Sequence, residues 1–200
     1  MSGKGAKMKI FFITILVTVA VDQASKYFIK MNMMLHQSVQ IIENFFYITY
    51  IENSGIAFGM FGHNDDDFRR WMLVGIITAA MIVIAVYWRI YRNRSFVYNF
   101  SCGLILGGAL GNYIDRLLRG SVTDFLEFGI YEYRFAIFNA ADAAVSVGVV
   151  LFVIYVLFMS DKYEKQSKTE SKADAAAESG IQSRTAEVSL GEKEGGGNVS

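Results

Sequence analysis

Between Gly103 and Asp142 the chain places polar groups where hydrocarbon would exclude them: Asn112, Asp115, Arg116, Asp124 and Asp142 interrupt or adjoin apolar runs. A charge inside a bilayer is costly, so such groups must face one another within a bundle or reach the surface. The same stretch constrains how the bundle packs. Gly103, Gly107 and Gly111 recur every four residues, so on a helix they line one groove into which a neighbouring helix can settle. Gly108, Asn112 and Arg116 form a second stripe beside it. Past Gly120 the helix should end, leaving Asp124 in a short polar and aromatic link, and Asp142 opens the next apolar run. Two carboxylates are therefore expected at the same end of two neighbouring helices.

Of the 200 residues, 53% are hydrophobic and 19% charged, a balance that points to a membrane protein. The patterning predicts an all-α membrane protein with four transmembrane helices, over about residues 9–30, 71–88, 96–118 and 138–159, within a domain 1–160. The first run could be a cleaved signal peptide, but it continues through Asp22, Lys26 and Ile29 with no clean cleavage site, so it reads as a span. Trp71 and Trp88 bracket the second span as interfacial anchors. Lys and Arg gather at the amino end, at Arg89, Arg92 and Arg94, and in the tail, and none occurs from 31 to 68, which puts both termini in the cytoplasm and the first loop outside. Within that loop Val39 to Ile51 is β-branched and aromatic, predicting a small extramembrane β-sheet. Residues 161–200 are too polar to pack and read as a disordered cytoplasmic tail.

Paired aspartates suit hydrolysis, because like charges held close cannot both ionise and so share one proton, giving one acid and one base. The plainer alternative makes Asp124 a solvated loop residue and Asp142 a helix cap. Asp22 and Lys26 stand four apart, as do Asp115 and Arg119; the first pair either supports the site or snorkels at the interface, and the second reads as a structural ion pair. Asn53-Ser54-Gly55 reads as a turn. His36 and His63 lack Cys or carboxylate partners at ligand spacing and Cys102 is alone, so no metal site and no internal disulfide are expected. With a formal net charge of zero and no basic stripe, nucleic acid is not an expected partner. A small proton-coupled transporter or channel would also place acids in a bundle, but these acids cluster at one end and no internal repeat is evident; a scaffold would leave the buried polar groups without a purpose.

Five blocks, in order over about residues 10 to 160, resemble the lipoprotein signal peptidases (signal peptidase II), membrane aspartyl proteases of bacteria. They are Asp22-Gln23-Ala24-Ser25-Lys26, Asn53 to Gly59, Gly107 to Arg116, Gly120 to Phe125, and Phe138-Asn139-Ala140-Ala141-Asp142. Ser25 stands where the family usually has Thr, and Ala136 where Pro is common. The resemblance implies an aspartic endopeptidase with catalytic Asp124 and Asp142. It implies a site supported by, or binding substrate through, Asp22, Lys26, Asn53, Gly55, Asn112, Arg116 and Asn139, and no cofactor. It further implies prolipoprotein substrates carrying a diacylglyceryl cysteine, cut on the amino side of that cysteine. The expected location is the bacterial cytoplasmic (inner) membrane, contacting membrane lipid, with the active site near the outer surface.

Overall fold

A computed structural model describes residues 2–55, 66–92, 94–131 and 133–159; the predicted tail, 161–200, and most of the segment after Gly55 lie outside them. In chain order the elements are α1 (Ser2–Asn32), β1 (Ser38–Ile42), β2 (Phe46–Asn53), α2 (Asp66–Tyr91), α3 (Phe96–Arg119), β3 (Val122–Ile130), β4 (Tyr133–Arg134) and α4 (Ala140–Ile154), which runs on into a π-helical turn at Tyr155–Met159.

The central helix is α3, packed chiefly on α1 and α4 and more lightly on α2. The glycine stripes explain this. A Cβ at Gly103 would meet Thr14 Cβ at 2.8 Å, one at Gly107 would meet Thr18 Cβ at 2.7 Å, and one at Gly111 would meet Asp22 Oδ2 at 2.5 Å, so α1 lies in the first groove with its own four-residue row inserted. On the second stripe a Cβ at Gly108 would collide with the Ala141 carbonyl oxygen, so α4 occupies that side. The start of α3 is capped by the Ser95 hydroxyl, which accepts from Tyr98 N–H at 3.2 Å, and its end by Gly120 at φ 81°. Arg70 of α2 donates from Nε to the Arg116 carbonyl at 2.9 Å and from Nη2 to that of Leu117, satisfying last-turn acceptors that the helix itself cannot pair.

Among the described residues three helices are long and apolar enough to cross a membrane: Ala6–Asn32, Asp67–Tyr91 and Ala140–Phe158. The expected third span, α3, is not among them: Asn99, Asn112 and its glycines dilute its apolar residues ahead of the charged last turns with Asp115, Arg116 and Arg119. Trp88, expected as an interfacial anchor, packs against protein at the end of α2. It is buried, stacks on Phe11 at 3.8 Å between ring centroids and donates to Asn99 Oδ1 at 2.8 Å, in a cluster with Tyr98, Cys102 and Tyr155, whereas Trp71 is exposed.

The sheet is antiparallel in the order β1-β2-β3-β4. Asp124 was expected in a link and lies instead in β3, opposite Ile51 of β2. One carboxylate is thus delivered by a strand and the other by a helix. Phe138 pairs with Leu126 of β3, its N–H donating to the Leu126 carbonyl at 3.0 Å, and this bridge carries the entry of α4 to the strand that holds Asp124.

Candidate active site

Three asparagines join the two aspartates, and in each the amide orientation is fixed by a group that can only donate. Asn53 Oδ1 accepts from Gly55 N–H at 2.8 Å, so its Nδ2 faces Asp124 Oδ2, also at 2.8 Å. Asn139, the N-cap of α4, accepts from Asp142 N–H on its Oδ1 at 3.0 Å, and its Nδ2 donates to Asp124 Oδ1 at 2.6 Å. Asn112 Oδ1 accepts from Lys26 Nζ at 3.0 Å and from Asn139 Nδ2 at 3.1 Å, so its Nδ2 faces Asp142 Oδ1 at 2.7 Å. Asp142 completes a capping box by accepting from Asn139 N–H at 3.2 Å. Its helix-cap reading therefore holds alongside its place beside Asp124, since one residue does both.

Both carboxylates receive two donors, which satisfies buried oxygens that would otherwise be costly. Asp124 is only 2% exposed and Asn139 is fully buried. Burial pushes the Asp124 carboxyl above its ordinary 3.8; the Asn53 and Asn139 hydrogen bonds pull the other way, and the nearby charge of Asp142 pushes further upward.

Behind the aspartates lies a second charged layer. Lys26 Nζ contacts Asp22 Oδ2 and Asp115 Oδ2, each at 2.8 Å, and Arg119 Nη1 holds the other oxygen of Asp115 at 2.7 Å. Asp22 Oδ2 also accepts from Gln23 Nε2 at 3.0 Å, while its Oδ1 accepts from Ala141 N–H at 3.0 Å. That N–H is one of the donors a helix start leaves unpaired, so α1 caps α4 from outside. Arg116 projects toward the acids: its guanidinium feels Asp142, Asp124 and Asp115, its Nε has no hydrogen-bond partner among the described residues, and its Nη2 lies 3.8 Å from where a Cβ on Gly55 would sit. Gly55 itself has φ 81°, a backbone conformation that favours glycine and lets its N–H turn back onto Asn53.

All nine residues singled out in the sequence thus meet in or beside one cluster. Sequence reasoning missed Glu52. Its carboxylate accepts from Lys30 Nζ at 2.9 Å, Tyr50 OH at 2.8 Å, Ser121 Oγ at 2.6 Å and Thr123 Oγ1 at 3.2 Å, tying the end of α1 to β2 and β3 on either side of Asn53 and Asp124. Burial works upward on Glu52, but the Ser121, Lys30 and Tyr50 contacts outweigh it and hold the carboxyl below its ordinary value. Its position beside Asn53 was the available signal, but two of its partners, Ser121 and Thr123, lie about 70 residues away.

Apolar helices carrying a buried cluster of acids and amides at their sheet end define a multi-pass membrane enzyme of the hydrolytic kind. The profile described as Signal peptidase (SPase) II matches residues 14–158. One similar solved structure, described as a bacterial membrane enzyme determined by the in meso method at 2.3 Å resolution, is 32% identical with a TM-score of 0.63, covering 74% of this chain and 87% of that one. A second, described in the same words at 1.9 Å resolution, is 32% identical with a TM-score of 0.66, covering 75% and 94%. The chain belongs to the signal peptidase II family, and its function is that of a lipoprotein signal peptidase.

Proposed function

We propose that Asp124 and Asp142 are the catalytic pair of an aspartic endopeptidase that cuts prolipoproteins on the amino side of a diacylglyceryl cysteine. The observation that carries the reading is the convergence of three orientation-locked amides on two carboxylates. Two such acids close together hold one proton between them. The ionised one takes a proton from an attacking water while the other gives its proton to the oxygen of the scissile carbonyl. The resulting tetrahedral diol collapses when its hydroxyl returns a proton to the carboxylate and the first acid protonates the departing amine. Arg116, whose Nη2 approaches Gly55 and whose Nε has no partner among the described residues, is placed to bind a substrate carbonyl.

We further infer that α3 is the fourth span. Its 24 residues reach about 36 Å at 1.5 Å per residue. Asp115 turns toward Lys26 of α1 and Asn112 toward Asp142 of α4, so these polar groups face other protein groups. The Lys and Arg distribution then puts both termini in the cytoplasm and the aspartates near the outer face of the bacterial inner membrane. A signal peptide is itself an apolar helix, so an enzyme within the bilayer meets the scissile bond where the substrate leaves the membrane.

The test is cleavage by the purified chain, in phospholipid vesicles, of one precursor made with and without the diacylglyceryl group on its cysteine. The lipid-modified form should lose its signal peptide at the bond before that cysteine, as mass spectrometry of both products would show. Equal cleavage of the unmodified precursor, or cleavage elsewhere, overturns the substrate assignment.

A further inference from the structure

We propose that Lys26 is a positioning residue for hydrolysis, setting the amide of Asn112 toward Asp142 without touching the substrate. The inference rests on the assignment of Asp124 and Asp142 as the reacting pair and adds how that pair is held.

An ammonium has three protons and no lone pair, so it can only donate. Lys26 is 1% exposed and has three acceptors at hydrogen-bond distance: Asp22 Oδ2 and Asp115 Oδ2 at 2.8 Å and Asn112 Oδ1 at 3.0 Å. It hydrogen-bonds Asp22 and Asn112 and ion-pairs with Asp115, and at this burial it is turned away from a substrate. Its charge also acts on Asp124 through space, but its hydrogen-bonded route to Asp142 runs through Asn112, the partner that reaches that carboxylate.

The amide of Asn112 has two orientations of nearly equal shape. In the observed one Oδ1 faces two donors, Lys26 Nζ and Asn139 Nδ2, and Nδ2 faces Asp142 Oδ1 at 2.7 Å. Turned over, it would set N–H against ammonium on one side and oxygen against carboxylate on the other, both repulsive where water is scarce to screen them. Removing the ammonium takes away the stronger of the two donors on Oδ1 and lets the amide turn. The asparagine alone does not secure its own direction.

The charges around Lys26 suit this passive role. Asp22 comes from α1 itself, Asp115 from α3, and Arg119 engages the other oxygen of Asp115. Asp22 is further engaged by Gln23 Nε2 and, on its second oxygen, by Ala141 N–H. From α4 and the sheet end, Asp142 and Asp124 lie beyond the amides of Asn112 and Asn139.

The test is a double-mutant cycle between Lys26 and Asn112, read by single-turnover cleavage with the full-length chain in vesicles. Because Lys26→Met alone would leave buried Asp22 without its cation while Asp115 keeps Arg119, the cycle is run in an Asp22→Asn background, which removes both charges of that pair together. Lys26→Met should lower the cleavage rate constant about 10- to 100-fold with KM within about twofold, as expected for a misplaced hydrogen-bond donor. In Asn112→Ala enzyme the same change should lower it no further. Additive losses, a loss confined to KM, or an unchanged rate in folded protein overturns the proposal. If Lys26→Met does not fold, Asn112→Asp reads the same step: it keeps an oxygen toward Lys26 and replaces the donor facing Asp142 with an acceptor. Its rate should fall as far with its melting temperature kept, and a wild-type rate there also overturns the proposal. Asp142→Asn run alongside separates the two readings. Cleavage by that variant would remove the catalytic pair, whereas an inactive Asp142→Asn with an additive cycle would remove only the role of Lys26.

Discussion

Replacing Gly111 by alanine should damage catalysis more than it damages the fold. The added Cβ would lie 2.5 Å from Asp22 Oδ2, 3.0 Å from Asp22 Cγ and 3.3 Å from Ala141 Cβ. Ordinary contact begins near 3.4 Å, so the Asp22 oxygen must retreat by about 0.9 Å. It cannot retreat alone, because it holds Lys26 at 2.8 Å and Gln23 at 3.0 Å, and the other oxygen of the same carboxylate holds Ala141 N–H at 3.0 Å. Lys26 would move with it, then Asn112 and the start of α4, which carries Asp142. Overpacking of this size costs about 1–3 kcal/mol of stability, whereas a shift of about 1 Å at a reacting group can cost on the order of 100-fold in rate. Gly107→Ala is the matched comparison, one turn earlier on the same face. Its Cβ would meet Thr18 Cβ at 2.7 Å and Ile15 Cα at 3.2 Å, pressing α1 away below the charged layer. The assay is the cleavage rate in vesicles beside the melting temperature in detergent for both variants. Gly111→Ala should lose at least about tenfold more rate than Gly107→Ala for a similar loss of melting temperature. If the two variants lose rate in proportion to stability, or if Gly111→Ala cleaves at the wild-type rate, the coupling of this glycine to the charged layer is wrong.

Other outcomes follow from the same geometry. Gly75→Ala on α2, where an added Cβ meets nothing within 4 Å, should stabilise by up to about 1 kcal/mol without changing cleavage, as a melting curve would read. Because burial holds the Asp124 carboxyl above 3.8, its proton is lost later than usual as pH rises, and cleavage should fall on the alkaline side when it goes. Asn53→Ala removes a donor that favours the ionised form, so that alkaline limb should move to higher pH while the rate falls; a limb moving to lower pH would contradict the assignment. For topology, thiols placed at Ser38 and Tyr133, both exposed, should react with an impermeant reagent outside intact spheroplasts and one at Ser95 should not, with buried Cys102 giving little background. Truncation after Lys162 should leave cleavage intact on compositional grounds, and loss of activity in a stably inserted truncation would refute this.

What the sequence made legible was local and periodic. The four-residue spacings gave the Asp22 with Lys26 and Asp115 with Arg119 pairs, both present at 2.8 and 2.7 Å, and the two glycine stripes, which receive α1 and α4. What escaped was set by partners distant in sequence. Asp124 sits in a strand because β2, some seventy residues earlier, pairs with it, and a stretch read alone as a link carries no sign of that partner. The join between Lys26, Asp115 and Asn112, and the capping of Ala141 N–H by Asp22, likewise exist only once α1 has settled into the groove of α3. The partners of Trp88, a stacking face on Phe11 and an acceptor on Asn99, are likewise contacts that hydropathy does not register.

The most direct test of the account is the isosteric removal of one proton-carrying group at a time. Asp124→Asn and Asp142→Asn keep the side-chain shape, and neither amide can take or give the shared proton. Each purified variant, in phospholipid vesicles with a diacylglyceryl-modified precursor, should insert with a melting temperature close to that of the unaltered chain and release no signal peptide above the uncatalysed background. Sustained release by either variant, even at a few per cent of the wild-type rate once contaminating enzyme is excluded, would contradict the assignment of these two aspartates as the reacting pair.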